Sequence, residues 1–371
     1  MAHPHGSGHP GSHPGGHPGG NDAPRLVAWE VTRACNLTCL HCRAAAVDKP
    51  GPDELTTAEG MRLIDQIAAM SRNIILIMTG GEPLLRPDVF DLAAHGTAKG
   101  LRVVMAPNGT LITPEIAKKM MASGIQRISI SLDGAAPGDH DRFRGVDGAF
   151  ARTMEGVKYA REAGLEFQVN TTVTRGNLDQ IEAIQDMAIS MGAVAHHIFL
   201  LVPTGRGRKL TGEIISAGEY ERVLNWFYGR QFKVPVELKA TCAPHYNRVL
   251  RQRAKDEGKK VDFATFGLSA VSRGCLGGQG FVFVSHTGRV QPCGYLDLDC
   301  GQVRENDFGD IYRTSPIFLD LRNKDCYKGK CGICEYFTVC GGCRARAFEA
   351  TGDYLAEEPL CLYQPGRAKR D

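Results

Sequence analysis

From residue 24 onward the chain alternates between two hydrophobic periods, and this alternation restricts the fold more than any other feature. Apolar, β-rich runs occur at 26–32 (LVAWEVT), 74–79 (IILIMT), 101–106 (LRVVMA), 127–132 (RISISL), 166–173 (EFQVNTTV) and 195–202 (AHHIFLLV). Helical spacing lies between or after them. TAEGMRLIDQIAAM places Met61, Ile64 and Ala68 on one face. TPEIAKKMMASG opens with Thr113 as an N-cap and Pro114 at the first helical position, and stops at Gly124. LDQIEAIQDMAISMG and SAGEYERVLNWFYGR repeat the pattern. Six strand–helix units in series predict a parallel sheet with helices outside it. Six are too few to close an eight-stranded barrel. The expected fold is therefore α/β, a partial (β/α)6 TIM-like barrel over residues 24–235, with its site at the C-terminal ends of the strands.

The flanks read differently. Residues 1–23 are a His-, Pro- and Gly-rich tail that cannot build a core. Its His3, His5, His9, His13 and His17 suit a weak transition-metal or heme site, or nothing beyond a solvated tail. Residues 236–270 read as a connector with one basic helix, APHYNRVLRQRAKDEGKK. Residues 271–371 are Gly- and Cys-rich, with short strands such as GFVFVS, and read as a second, small domain held by metal. A 43% hydrophobic composition and a net charge of +3 describe a globular chain without a nucleic-acid footprint. No apolar run approaches the roughly 20 residues of a membrane span. No secretory signal pattern opens the chain, so a cytoplasmic location is expected. Thirteen cysteines in such a chain point to metal rather than disulfides.

Three of them, Cys35, Cys39 and Cys42, fall in the loop directly after the first strand, at the mouth of the expected barrel. Thiolates suit iron–sulfur clusters, and four are usual where the cluster only carries electrons. Three leave one iron open to a small molecule, as catalytic metal sites do. A Cys₃His zinc site using His41 is the other reading of this spacing. TGGEPLL, at the end of the second strand, adds Gly80 and Gly81, which let backbone approach a ligand, and Glu82, which can pair with an ammonium.

A three-cysteine loop followed one βα unit later by GGE resembles the radical S-adenosylmethionine (SAM) family, and the resemblance covers roughly residues 24–365. It implies a [4Fe–4S] cluster on Cys35, Cys39 and Cys42, whose open iron is chelated by SAM. One electron then splits the sulfonium to a 5′-deoxyadenosyl radical. By the same resemblance Gly80, Gly81 and Glu82 hold the methionine end of SAM. Asn108 of APNGT and Ser131 or Asp133 of SISLDG touch ribose or substrate, though Asn-Gly and Asp-Gly are also common turn dipeptides. His41 stands where the family often has an aromatic residue, and its ring can pack near the adenine.

The C-terminal pattern is Cys275, then Gly288 with four residues between it and Cys293, then Cys331-x₂-Cys334-x₅-Cys340-x₂-Cys343, then Cys361. It resembles the SPASM extension of radical SAM enzymes, which carries one or two auxiliary iron–sulfur clusters. That resemblance assigns Cys331, Cys334, Cys340 and Cys361 to one cluster and Cys275, Cys293 and Cys343 to the other. The last pair is spaced by two residues where the family usually has three. No further cysteine lies between Cys275 and Cys293, so the second cluster lacks a fourth thiolate or recruits Cys242, Cys300 or Cys326. Taken singly, those three read as inert thiols. A zinc knuckle of Cys331, Cys334, Cys340 and Cys343 is the competing reading, and it leaves Cys275, Cys293 and Cys361 without a task.

For the substrate, HHIFLLVPTGRGRKL sets His196 and His197 beside Arg206, Arg208 and Lys209, which suit carboxylates and a heme-type iron, or a packed histidine and a solvated loop. The wording of WEVTRACNLTCLHCRAAA, VPTGRG, KATCAPHY and CRARAFEATGDYLAEEP is similar to the heme-biosynthesis branch of the SPASM proteins, in the siroheme-dependent pathway. The resemblance implies oxidative decarboxylation of two propionates of iron-coproporphyrin III to vinyls, giving heme b. The deoxyadenosyl radical removes a hydrogen from the propionate β-carbon, CO₂ leaves, and an auxiliary cluster takes the remaining electron. An external low-potential electron donor and an electron acceptor are implied as partners. Removal of acetate side chains from didecarboxysiroheme and maturation of a peptide are the neighbouring activities. A tail running straight into the first strand leaves no room at that end for a leader-peptide module. A non-catalytic iron–sulfur carrier would leave GGEP unexplained.

Overall fold

The computed structural model describes residues 22–366. The histidines of the tail, His3 to His17, lie outside the described residues. The six expected strands are present as β1 (Leu26–Thr32), β2 (Ile75–Gly80), β3 (Arg102–Met105), β4 (Arg127–Ser131), β5 (Glu166–Val173) and β6 (Ala195–Leu200). They run parallel and in sequence order. The expected helices follow: Thr57–Met70, Pro114–Ala122, Ile181–Ser190, Ala217–Arg230 and His245–Asp256. Helix Thr57–Met70 opens on a capping box, in which the Glu59 amide donates to Thr56 Oγ1 at 3.3 Å and the Thr56 amide to Glu59 Oε2 at 2.8 Å. Its fully buried stripe is Gly60, Leu63, Ile64 and Ile67, with Met61 and Ala68 packed along the border.

Tertiary structure adds strands at both edges. Residues Glu237–Thr241, inside the expected connector, form β7 and pair in parallel with β6. Phe281–Val284, from the cysteine-rich region, forms β8 and pairs in parallel with the far side of β1. Arg289–Gln291 (β9) and Gly301–Gln302 (β10) continue that edge antiparallel. The order is β10-β9-β8-β1-β2-β3-β4-β5-β6-β7, and among the described residues no ladder joins the two ends, so the sheet stays open.

The two faces of the sheet are unequal. Leu76, Met78, Val103, Ile128, Ile130, Phe167 and Val169 are sealed beneath helices and form the main core with Ile64, Leu92, Met120, Val157 and Ile184. The alternate residues of β2, β4, β5 and β6 remain partly exposed, where a filled barrel would bury them. They make up the less covered face of the sheet, the chamber face. The register runs its surface across the strands: Ser131 opposite Asn170, Asn170 opposite His197, and His197 opposite Lys239.

Candidate active site

The cysteine loop leaves β1 at the chamber mouth and is pinned at both sides. The Cys35 amide donates to Val47 O (2.7 Å) and the Val47 amide to Arg33 O (3.1 Å), closing the loop on itself. The amides of Thr38 and Leu40 donate to the carbonyls of Arg144 and Phe143, tying it to helix Pro137–Arg144. Cys39 is buried, while Cys35 and Cys42 are half-buried, and the three pack together around Leu37, Val146 and Ala149. Each sulfur faces a donor: Leu37 N at 3.4 Å from Cys35, Ala46 N at 3.4 Å from Cys42, and Arg144 Nη1 at 3.7 Å from Cys39. Burial pushes the Cys35 thiol up to about 12 and raises that of Cys39. Metal ligation therefore has to displace these protons, and N–H groups aimed at sulfur favour the thiolate that results. The donor set fits an iron–sulfur cluster.

Arg144 carries no mark in sequence patterns, yet it is central here. Its guanidinium is buried, pairs with Asp133 beneath the loop and faces Cys39. Asp133 Oδ1 also accepts from the Thr172 amide at 2.6 Å. Asp133 is thus a buried counter-charge, whereas Ser131 lies on the chamber face. Arg206, expected at substrate, instead donates Nε to Cys39 O (2.9 Å) and Nη1 to Ala46 O (2.7 Å), bracing the loop from its far side. His41 stacks on Phe143 at 4.2 Å with planes 5° apart, and its buried Nδ1 has no partner. That orphan polar atom lies in the loop that carries the three thiols, an unmet hydrogen bond of the kind a polar ligand such as SAM satisfies.

The glycines of GGE serve a closer purpose than the one expected. A Cβ on Gly80 would lie 2.3 Å from Thr32 O, and one on Gly81 2.2 Å from Ala34 O. They let the end of β2 dock on the backbone entering the cysteine loop, where the amides of Gly81 and Glu82 donate to Thr32 O (2.8 Å) and Ala34 O (2.7 Å). Glu82 is fully buried. Its carboxylate accepts from Leu84 N (3.1 Å) and Asn108 N (2.6 Å), stapling the end of β2 to the end of β3. Burial pushes its pKa up to about 7 against those two hydrogen bonds. Asn108 caps the turn at Thr110 through Oδ1 and reaches Asn36 with Nδ2 (2.8 Å), so its turn chemistry is joined to the cysteine loop.

The expected substrate residues part company. Adjacent strand residues face opposite sides, so His196 is fully buried on the helix side against Thr171 Oγ1 (3.0 Å), while His197 faces the chamber and meets Gln168 Nε2 at 2.9 Å. Arg208 is 58% exposed and pairs with Glu349 at 2.9 Å. Missed entirely was a cluster joining β1, the cysteine loop and β8: Arg43 over the Phe283 ring at 4.3 Å, with Glu30 bridging Arg43 (3.2 Å) and His286 (3.0 Å). These residues belong to β1, the cysteine loop and the β8 region, and no local pattern links them.

The C-terminal cysteines fall into two groups. Cys331, Cys334, Cys340 and Cys361 line one cavity together with His245 and Arg248. Cys331 Sγ faces Glu358 N (3.4 Å) and Arg344 Nη2 (3.5 Å). Cys343 is absent from that lining and packs instead with Cys293 and Cys242 around Leu296. A zinc knuckle of Cys331, Cys334, Cys340 and Cys343 does not match this division. Cys300 and Cys326 lie apart, facing Leu298 O (4.0 Å) and Asp320 Oδ1 (3.9 Å). Tyr295 adjoins the second group. Burial holds its phenol well above the ordinary range, and it feels the charges of Cys242, Arg43, Cys293 and Cys42.

The fold and the two kinds of cysteine group define an AdoMet-dependent radical enzyme. Residues 29–188 match the radical SAM superfamily model, and the chain belongs to that superfamily. It is 58% identical to the AdoMet-dependent heme synthase of Nitratidesulfovibrio vulgaris, over 92% of this chain and 93% of that protein. It is 53% identical to the AdoMet-dependent heme synthase of Methanosarcina barkeri, over 93% and 98%. Its fold is similar to that of Streptococcus suis SuiB bound to S-adenosylmethionine, with a TM-score of 0.71, 16% identity, and coverage of 92% of this chain and 78% of that one. The chain is therefore an enzyme that uses SAM and an iron–sulfur cluster. No helix among the described residues is long and apolar enough to cross a membrane.

Proposed function

We propose that this chain is a heme synthase that converts two propionates of iron-coproporphyrin III to vinyls by oxidative decarboxylation. The observation that carries the reading is 58% identity, over nearly the whole length, to a protein of that name. The half-buried polar face of β4, β5 and β6, opposite the helix-covered core, is its structural support. Cys35, Cys39 and Cys42 would hold the catalytic cluster, and Gly80, Gly81, Glu82, Asn108 and Ser131 would surround SAM. Bound together, cluster and SAM supply one-electron reduction and a 5′-deoxyadenosyl radical. The chain's own task is placement. Asp133 and Arg144 keep Cys39 in position, and Arg206 fixes the loop that carries it. His197 faces the chamber within electrostatic reach of Lys239 and Arg127, and Lys239 within reach of Arg25. These cations, partly offset by Glu166 on Arg127 and Glu237 beside Lys239, suit the two propionates that survive, leaving the other pair toward the cysteine loop. Two auxiliary clusters, on Cys331/Cys334/Cys340/Cys361 and on the group containing Cys275, Cys293 and Cys343, would accept the electron left on decarboxylation. A cytoplasmic site of action, an external reductant and an external acceptor complete the proposal.

The test is anaerobic incubation with SAM, a reductant and either iron-coproporphyrin III or didecarboxysiroheme. Two successive mass losses of a carboxyl plus hydrogen from the first are expected. Turnover of didecarboxysiroheme alone would overturn the reading. Cys39→Ala is expected to abolish formation of 5′-deoxyadenosine.

A further inference from the structure

We infer that Cys242, at the end of β7, supplies the fourth thiolate to the group of Cys275, Cys293 and Cys343, so that this auxiliary cluster is held entirely by protein. The inference rests on the proposal that the C-terminal cysteines bind clusters. Placement is the first support. Cys242 packs with Cys293 and Cys343 against Leu296 and Val202, and its thiol lies within electrostatic reach of Cys275 as well. Cys275 and Cys293 themselves meet at Gly277, where a Cβ would lie 3.7 Å from Cys275 Sγ and 3.6 Å from Cys293 Cβ. Four thiols from three parts of the chain therefore converge. Cys300 and Cys326, the other unassigned thiols, do not join them.

The backbone is the second support. Cys242 has φ of +54°, one of two non-glycine residues with positive φ among the described residues. That region is strained for a side-chain-bearing residue and ordinarily selects glycine or asparagine. The conformation is enforced from outside: Cys242 O accepts from Tyr220 Oη (3.0 Å) and Arg346 Nη2 (3.0 Å). Arg346 pairs with buried Glu358 at 3.2 Å, and Glu358 Oε2 accepts from the Cys343 amide at 2.7 Å. One buried ion pair thus sets the backbone at two of the four thiols, one on the barrel sheet and one in the C-terminal region. A cluster with four thiolates has no iron free for substrate, so its part would be to carry an electron. The three-cysteine loop is the reverse case.

The test uses the full chain carrying Cys35→Ala, Cys39→Ala and Cys42→Ala, which removes the catalytic cluster's signal, reconstituted anaerobically. Into it are placed Cys242→Ala, Cys242→Ser and, as reference, Cys275→Ala. Iron content, the electron paramagnetic resonance spectrum of the reduced protein and its response to cyanide are measured. Closed ligation predicts that cyanide leaves the parent spectrum unchanged. It predicts that Cys242→Ala loses iron or acquires a cyanide-sensitive spectrum, and that the near-isosteric Cys242→Ser shifts the spectrum while the chain stays folded. If both Cys242 variants match the parent while Cys275→Ala loses iron or acquires a cyanide-sensitive spectrum, the cluster exists and Cys242 is not its ligand. If Cys275→Ala also keeps the parent's iron, spectrum and indifference to cyanide, no cluster occupies the group, and the inference falls with the reading beneath it.

Discussion

Replacing Arg144 with methionine separates what this residue does for the fold from what it does for the cluster loop. The side chain is 8% exposed, pairs with Asp133 and approaches Cys39 Sγ to 3.7 Å. Once it is gone, Asp133 keeps the Thr172 amide as its hydrogen-bond donor and is otherwise a buried charge without a cation. Removing one member of a buried pair costs roughly 3–5 kcal/mol, whereas replacing both with neutral groups is far cheaper. Arg144→Met is therefore expected to lose about 3–5 kcal/mol, and Arg144→Met/Asp133→Asn to fall within about 1–2 kcal/mol of the parent. Cluster loading should behave otherwise. Burial raises the Cys39 pKa, and Arg144 opposes that rise. Both variants lack the cation, so both should take up iron less readily near neutral pH, and recover as pH rises. Urea unfolding of the cluster-free protein, followed through the emission of buried Trp29, reads the first effect. Iron bound after anaerobic reconstitution reads the second. A single variant within about 1 kcal/mol of the parent, or a double variant no more stable than the single, would refute the pairing argument.

Other outcomes follow from the same geometry. Gly81→Ala drives a Cβ to within 2.2 Å of Ala34 O, a backbone atom, and is expected to cost about 1–3 kcal/mol and to lower both iron content and SAM binding by equilibrium dialysis; unchanged SAM affinity would count against the docking role. Glu82 has its folded pKa raised from 4.5 to about 7 by burial, so its ionised form is the disfavoured one in the fold. Its contribution is best below pH 4.5 and diminishes as pH rises toward 7, by about 1.4 kcal/mol per unit. Glu82→Gln should flatten that dependence in urea midpoints taken between pH 5.5 and 8, and a parallel pH profile in the variant would disprove it. Arg208→Ala removes a surface pair worth about 1 kcal/mol or less and should leave the KM for the porphyrin unchanged; a several-fold rise in KM would return Arg208 to the substrate site.

The sequence by itself determined what depends on neighbours in the chain. Period-2 and period-3.6 runs placed β1 to β6 and the helices that follow β1, β3, β5 and β6, because each element's own apolar face is written in its residues, while Val89–Ala98 after β2 and Ala149–Glu162 after β4 were not singled out. Cys35, Cys39 and Cys42 could be read as one site because eight residues span all three. The division of Cys331, Cys334, Cys340 and Cys361 from Cys343 came from a resemblance, and the cavity lining follows it. Tertiary structure alone decided whatever joins distant segments. A strand as short as ELKAT, or FVFV some 250 residues from its partner LVAW, carries no local sign of which edge it will complete. Arg144 under Cys39, Glu30 between Arg43 and His286, and Cys242 among the later cysteines are likewise meetings of residues whose types are common and whose spacing is meaningless until the sheet is assembled. Conversely, His196 and His197 are neighbours in sequence and are parted by the pleat of one strand. Hydrophobic patterning fixes which face of an element is buried, but long-range pairing fixes which charges and thiols end up side by side.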